Sequence, residues 1–382
     1  MTRRLRIAVL NRHFGRRFGG AESYSVALVE QLAARHDLHV FAQEFDHPGL
    51  GITLHRVPRP LAKPRWLNQL WYAAWTWQAT RRGFDVVHSH ENTWHGQIQT
   101  VHVRPLRVGL FHGLTGARRL LKVAQILTSP RLLAYWFLEG SRFRPQPDRR
   151  IVASSDSVRD EVLLAYPHAA GMISVIPPGT LLPAGPADPA AARRQLKLPT
   201  DVPLALFAGN DYAKKGLPAL LDALARVGGD LHLAVAGNPV HIPAFRARAE
   251  QLGIAARVHF LGSLRDMAPA YAAADLLVHP TTEDTYAMVV LEALGHGLPV
   301  IVSGAAHCGI AAELRDGVDA LIVDDPRDAD ALAQAIARLR ADATLAATLG
   351  QAGRSFAAAR DWGARAAQQE ALYVEVLGAA TR

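Results

Sequence analysis

The stretch from Asp275 to Ser303 constrains this chain more than any other. Leu276 to His279 is a short apolar run closed by Pro280, the pattern of a strand buried on both faces. A polar loop follows, Thr281 to Thr285. Apolar residues from Met288 to Leu294 then surround Glu292, Gly295 and Gly297 stop the helix, and Pro299 to Ser303 reads as the next strand. Strand, loop, helix and strand in this order build a parallel α/β sheet. In open α/β sheets, ligands bind beyond the carboxyl ends of the strands, where the polar loop falls.

That loop and helix carry Asp284 and Glu292, eight residues apart and so near two helical turns, with Glu283 beside the first acid. The spacing predicts both acids on one face. Two readings fit. Paired carboxylates can hold sugar hydroxyls by charge-assisted hydrogen bonds, and an acidic first turn also complements a helix dipole.

The 382 residues suggest two domains. Apolar content of 49% and charged content of 20% fit a water-soluble globular chain. No apolar run approaches the ~20 residues of a spanning helix. The run Arg6 to Leu10 is too short for a signal-peptide core. The single cysteine, Cys308, cannot form an internal disulfide. A cytoplasmic location is therefore expected. Charge is uneven. Residues 1–180 hold 24 Lys/Arg against 12 Asp/Glu, a net +12, and residues 181–382 hold 18 against 22, a net −4. The basic half points to a polyanionic partner such as an anionic membrane, a lipid-linked phosphate or nucleic acid.

Along the chain, Leu5 to Leu10 is a predicted strand, Asn11 to Gly20 a basic loop ending in Gly19-Gly20, Ala21 to Arg35 a helix and Leu38 to Phe41 a strand. The order is Rossmann-like, but the G-x-G-x-x-G of dinucleotide sites is missing. Paired glycines let backbone N–H groups approach an anion at a helix start, and they also mark plain loops. Leu61 to Arg82 and Arg104 to Phe143 are basic and aromatic-rich; six of the seven tryptophans lie between residues 66 and 136. Two readings fit these segments: an amphipathic membrane-surface face, or a first-domain core with solvated arginines. Strands are predicted at Phe84–His88, Gly96–Val103, Arg149–Ser154 and Ile173–Ile176. The spacing of His88, His90, His95, His102 and His112 fits no standard metal site. Pro177-Pro178-Gly179 marks a boundary and Leu181 to Pro203 a linker.

In the second half, a strand at Leu204–Ala208 leads through Gly209 to Lys214-Lys215-Gly216 and a helix from Leu217. Two lysines at a helix start, beside glycines, form an anion site in which charge and dipole add; the bland reading is a solvated basic loop. Strands follow at Leu231–Gly237, Val258–Gly262 and Ala320–Val323. Helices are predicted at Met267–Ala274, Asp328–Arg340 and Ala364–Leu377. Asp328-Ala-Asp330 spells the D-x-D of metal-dependent transferases, but it opens a helix, where acids are expected anyway.

The acid-x₇-glutamate pattern and the run Glu292-Ala293-Leu294-Gly295-His296-Gly297-Leu298-Pro299-Val300 resemble the signature of the retaining GT-B glycosyltransferases of family 4. The look-alike group is the lipopolysaccharide core glucosyltransferase I group, which shares Cys308-Gly309. Two departures stand out: Asp284 replaces the usual first glutamate, and Thr285-Tyr286-Ala287 replaces Gly-Phe-Gly. The resemblance implies two Rossmann-like domains facing across a cleft. An acceptor-binding domain would span 1–176 and a nucleotide-sugar domain 177–360, with helix 361–382 crossing back to the first.

The resemblance also implies roles. Gly19 and Gly20 close over the donor diphosphate, and Lys214 and Lys215 hold it. Gly262 to Leu264 receives the base on backbone groups. Glu292 holds the ribose, Asp284 with Glu283 holds the donor sugar, and His102 faces the phosphates and the transferring sugar. The implied reaction moves a hexose, glucose from UDP-glucose, to a hydroxyl of a lipid-linked or cell-envelope glycan, with retention, no metal and no other cofactor. The expected partners are the donor, a glycan or glycolipid acceptor and an anionic membrane surface, with no nucleic acid. The expected form is a monomer, peripheral on the inner face of the cytoplasmic membrane. The rivals are a nucleotide-sugar epimerase, which would need no acceptor, and a basic nucleic-acid-binding protein, for which no recognition motif is present.

Overall fold

The computed structural model describes residues 3–61 and 63–380. These fall into two units, one running to Pro177 and resumed from Trp362, the other Pro178–Asp361.

The first unit carries β1 (Arg6–Leu10), β2 (His13–Gly15), β3 (Asp37–Ala42), β4 (Glu44–Asp46), β5 (Ile52–Arg56), β6 (Val86–Ser89), β7 (Ile98–Val101), β8 (Arg150–Ala153) and β9 (Ile173–Val175). Its helices are α1 (Gly20–Leu32), α2 (Arg65–Thr80), α3 (Leu106–Phe111), α4 (Gly116–Thr128), α5 (Pro130–Arg142) and α6 (Asp156–Ala165). Seven strands form a parallel sheet in the order β5-β3-β1-β6-β7-β8-β9, and β2 pairs with β4 separately. The predicted loop Asn11 to Gly20 is therefore partly structured: it contains β2 and a 3₁₀ turn, Arg16–Phe18. The tryptophan-rich helix α2 divides between core and surface. Tyr72 is fully buried, whereas Trp71 and Trp77 are exposed.

The second unit carries β10 (Leu204–Ala208), β11 (His232–Ala236), β12 (Val258–Gly262), β13 (Leu276–His279), β14 (Val300–Ser303) and β15 (Leu321–Val323). They form a parallel sheet in the order β12-β11-β10-β13-β14-β15. Alternate residues of its central strands feed two cores. Leu204, Leu206, Leu277, Val300 and Val302 point into one, and Ala205, Phe207, Leu276, Val278 and Ile301 into the other. A strand buried on both faces is apolar throughout, which is why these runs were legible. The helices are α7 (Pro189–Gln195), α8 (Leu217–Val227), α9 (Ile242–Gln251), α10 (Ala268–Ala273), α11 (Met288–Gly295), α12 (Ala329–Ala341) and α13 (Ala343–Ala358). Two findings differ from expectation. The linker Leu181–Pro203 contains α7, capped by Asp188 with Pro189 in its first turn. A second helix, α13, follows α12.

The last helix, α14 (Trp362–Ala380), belongs to the first unit and packs on α1. His36 and Arg35 pair with its Glu370, and Arg150 with its Glu375. Among the described residues no helix is long and apolar enough to cross a membrane.

Candidate active site

Both sheets reverse their winding once, in the first unit between β1 and β6 and in the second between β10 and β13. At such a switch point neighbouring connections leave on opposite faces and open a crevice beyond the strand ends. The loops after β10 and β13 supply Lys214-Lys215 and Glu283-Asp284, and these four of the residues singled out in the second unit meet there.

Their pairing is specific. Lys215 Nζ donates to Asp284 Oδ2 at 2.6 Å and to the Glu283 carbonyl at 3.2 Å. Lys214 Nζ lies 3.1 Å from Glu283 Oε1. Lys214 and Glu283 are half exposed, whereas Lys215 and Asp284 retain 20% and 16% of their side-chain surface. The inner pair is thus the less screened of the two. Backbone geometry fixes this register. Thr282 donates to the Lys214 carbonyl through both N and Oγ1, at 2.9 Å each. Gly216 sits at φ +85°, and a Cβ there would stand 1.8 Å from the Pro280 carbonyl, so only glycine lets the loops close.

Asp284 is the most constrained acid of the group. Besides Lys215 it accepts from His279 Nε2 at 3.3 Å, and its Oδ1 accepts from the amides of Tyr286 and Ala287 at 3.3 and 2.9 Å. Burial opposes its ionisation, but the His279 hydrogen bond and the Lys215 charge outweigh burial and hold its carboxyl below the usual range. Its backbone is clamped too: its N–H donates to the His307 carbonyl and its carbonyl accepts from Gly309 N–H. A Cβ on Gly309 would meet the Thr285 carbonyl at 2.0 Å. The predicted shared helical face is therefore corrected. Asp284 lies in a loop ahead of α11, and tertiary bonds position it, with Glu292 one helix turn inside α11. Glu292 Oε2 accepts from Tyr271 Oη at 2.6 Å, and Tyr271 is buried. His279 and Tyr271 were not singled out from the sequence; a histidine ending a buried strand was the signal for the first.

Gly262 ends β12 at φ +69°, and its carbonyl accepts from Gly237 N–H at 2.9 Å. Leu264 lines a groove of about 520 Å³ with Leu198, Arg246, Phe260 and Leu261. Cys308 is buried, and burial with the nearby Asp284 charge pushes its thiol up, so it is no nucleophile. Asp328 caps α12 through the amides of Asp330 and Ala331, which accounts for the D-x-D spelling structurally. Among the described residues no group of three or more His, Cys, Asp or Glu side chains is gathered as metal ligands are.

In the first unit, Gly20 opens α1 and Gly19 is its N-cap at φ +155°. Arg12, after β1, and Glu91, after β6, join across the switch point: Glu91 accepts from the Arg12 amide at 3.0 Å and from Arg12 Nε at 2.9 Å. No local pattern signals this ion pair, whose partners are 79 residues apart. His102 follows β7 directly. It stacks edge-on to Tyr24 of α1 at 4.9 Å and lies 3.0 Å from His90.

The pattern of Glycosyltransferase Family 4 matches residues 18–180, and that of Glycosyl transferases group 1 matches residues 202–342. The D-inositol 3-phosphate glycosyltransferase of Xylanimonas cellulosilytica is 30% identical over 313 residues, covering 76% of this chain and 72% of the relative. The same-named protein of Mycolicibacterium paratuberculosis is 36% identical over 227 residues, and this chain spans only half of that relative's length. The lipopolysaccharide glucosyltransferase WaaG of Escherichia coli K12 is 31% identical over 162 residues, 41% of this chain and 42% of that protein. Two solved structures share the fold: WaaG, with a TM-score of 0.82 at 21% identity over 96% of this chain and 99% of that one, and Anabaena HepE in complex with UDP and glucose, with a TM-score of 0.71 at 20% identity over 96% and 98%. The chain belongs to the group 1, family 4 glycosyltransferases, on the GT-B fold.

Proposed function

We propose that this family member is a retaining hexosyltransferase that moves glucose from UDP-glucose to a hydroxyl of a lipid-linked or cell-envelope glycan such as lipopolysaccharide core. The observation that carries the reading is the double pairing of Lys214-Lys215 with Glu283-Asp284 at the switch point of the second sheet. The relative named a lipopolysaccharide glucosyltransferase and the fold neighbour solved with UDP and glucose support the choice of sugar and acceptor.

In the proposed reaction the bond from the sugar C1 to the β-phosphate oxygen breaks. A bond to the acceptor oxygen forms on the same face, and the acceptor's proton passes to the departing phosphate. Negative charge grows on that phosphate, and Lys215, already held in place by Asp284, meets it without reorganisation. Lys214 adds a second, more exposed cation. Glu292, oriented by Tyr271, accepts from the ribose hydroxyls, and the backbone of Gly262 to Leu264 receives the base. Asp284 and Glu283 border the sugar. Gly19 and Gly20 offer amides to anionic oxygens at the start of α1. With lysines and amides neutralising the diphosphate, the reaction needs no metal. Helix α4, basic and apolar, is the surface proposed to meet an anionic leaflet at the inner face of the cytoplasmic membrane.

The test is a panel of nucleotide sugars with and without envelope glycan acceptors, in EDTA. UDP-glucose should turn over only with an acceptor, survive chelation and give product with the donor's anomeric configuration. Isomerisation of the nucleotide sugar without acceptor identifies an epimerase instead, and loss of activity in EDTA overturns the metal-free step. Glu292→Ala should weaken binding of free UDP by roughly tenfold, the cost of one charged hydrogen bond; unchanged affinity would remove Glu292 from the ribose site.

A further inference from the structure

The two adjoining carboxylates after β13 are not equivalent. A carboxylate offers about four lone pairs, and Asp284 has a donor for each. Oδ1 accepts from the Tyr286 and Ala287 amides, and Oδ2 from Lys215 Nζ and His279 Nε2. His279 is fully buried and its Nδ1 has no partner. A proton there would be a buried N–H without an acceptor, whereas on Nε2 it meets the carboxylate. Asp284 is thus filled from inside the protein, with 16% of its side chain exposed. Glu283 is the reverse, at 48%. Its one side-chain partner among the described residues is Lys214, 3.1 Å from Oε1, which leaves Oε2 unoccupied. Its backbone is nonetheless fixed: the amide donates to Thr281 Oγ1 at 3.3 Å, and the carbonyl accepts from Lys215 Nζ at 3.2 Å.

From this we infer that Glu283 is the acid that reads a hydroxyl of the donor sugar, and that Asp284 is a positioning residue that aims Lys215. The inference rests on the proposed donor, UDP-glucose. An ammonium has three N–H donors. Two of those on Lys215 go to Asp284 and to the Glu283 carbonyl, which leaves the third for the β-phosphate. A sugar hung on that phosphate comes beside Glu283, whose own carbonyl already touches the Lys215 ammonium. To serve the sugar, Asp284 would first have to release Lys215, His279 or a backbone amide, and a buried donor left unpaired is costly. Glu283 gives up at most one contact with a half-exposed lysine, and none if Oε2 takes the hydroxyl. The acid that matches the family spacing therefore serves the cation, and its neighbour serves the sugar.

Calorimetric titration of the full chain with UDP-glucose and its monodeoxy analogues tests this. Comparing donors within one variant cancels the base and the diphosphate. In the parent, one analogue should bind about tenfold more weakly, the loss of one charged hydrogen bond at a half-exposed group. In Glu283→Ala that ratio should fall to about one, and in Glu283→Gln, which keeps an acceptor without the charge, part of it should remain. In Asp284→Asn the parental ratio should persist. Its kcat with a lipopolysaccharide-core acceptor should fall by up to about 100-fold at little changed donor KM, as for a misplaced group. A ratio near one in the parent, or the parental ratio in Glu283→Ala, overturns the assignment. A ratio lost in Asp284→Asn, or a change there in donor KM with kcat intact, gives the hydroxyl to Asp284 and overturns it too. A parent with no affinity for UDP-glucose overturns the donor reading itself, and this assignment with it.

Discussion

Among single residues, Lys215 and Asp284 decide most. A preorganised cation beside developing phosphate charge is worth about 2.7–4 kcal/mol. Lys215→Ala should therefore lower turnover by about 10²–10³-fold, and the half-exposed Lys214 by roughly tenfold, since solvent screens it. Steady-state kinetics on folded variants reads both, and near-parental turnover in the double variant would remove the basic pair from the chemistry. Asp284 carries a stability prediction with a sign. Its carboxyl titrates lower in the fold than in the unfolded chain. Its contribution is full above the ordinary aspartate range and is lost as pH falls toward the folded value. Asp284→Asn leaves Lys215 without its charge partner and should cost about 3 kcal/mol at neutral pH. The gap to the parent should narrow as pH drops through about 4, where unfolded aspartate protonates. A gap independent of pH would show that the ion pair contributes nothing.

At the scale of elements, α4 stands apart. Ile126 is its one buried residue among those described, while Leu120, Leu121 and Leu127 keep 66–72% of their surface. Leu120, Val123 and Leu127 share one helical stripe, and Arg118, Arg119 and Lys122 lie off it. Leu133 and Phe137 of the next helix, α5, are exposed as well. A basic helix with an uncovered apolar stripe matches an interfacial helix, each surface cation adding about 1 kcal/mol on an anionic leaflet. Reversing Arg118, Arg119 and Lys122 to Glu should cut co-sedimentation with anionic vesicles on the order of 100-fold. Salt should weaken parental binding. Equal recovery with anionic and neutral vesicles at low salt refutes the surface.

For the molecule as a folding system, the buried histidines matter. Burial lowers His88, His95 and His102 to about 3 and holds His90 well below its ordinary value. In the unfolded chain they take protons near the ordinary value, about 6.5. Below that pH the unfolded state binds more protons, so stability falls with acid until the folded values are reached, near 3. Each histidine can contribute up to about 1.4 kcal/mol per pH unit in that window. Circular-dichroism melts of the first unit's transition from pH 7 to 4 should therefore drop steeply, and less so in His95→Gln. A flat profile between pH 6 and 4 would contradict this account.

The sequence alone determined the α/β class, the parallel strands of the second half and the loops that carry the site. Strands apolar along their whole length, glycine punctuation and the acid-x₇-glutamate spacing are local signals, readable without partners. Less was legible where packing uses other means. β5 is an edge strand with half-exposed residues, so its pattern is faint. α13 lies against α11 through small residues, Gly350 facing the Gly297 carbonyl, with no broad apolar stripe to announce it. The chemistry of the site came only from tertiary structure. Lys215 meets Asp284 across 69 residues, and His88 meets Tyr373 across 285. Sequence names the groups that can carry charge. Only the fold decides which of them lie within hydrogen-bond reach and away from water, and so which charge, proton and tautomer each one holds.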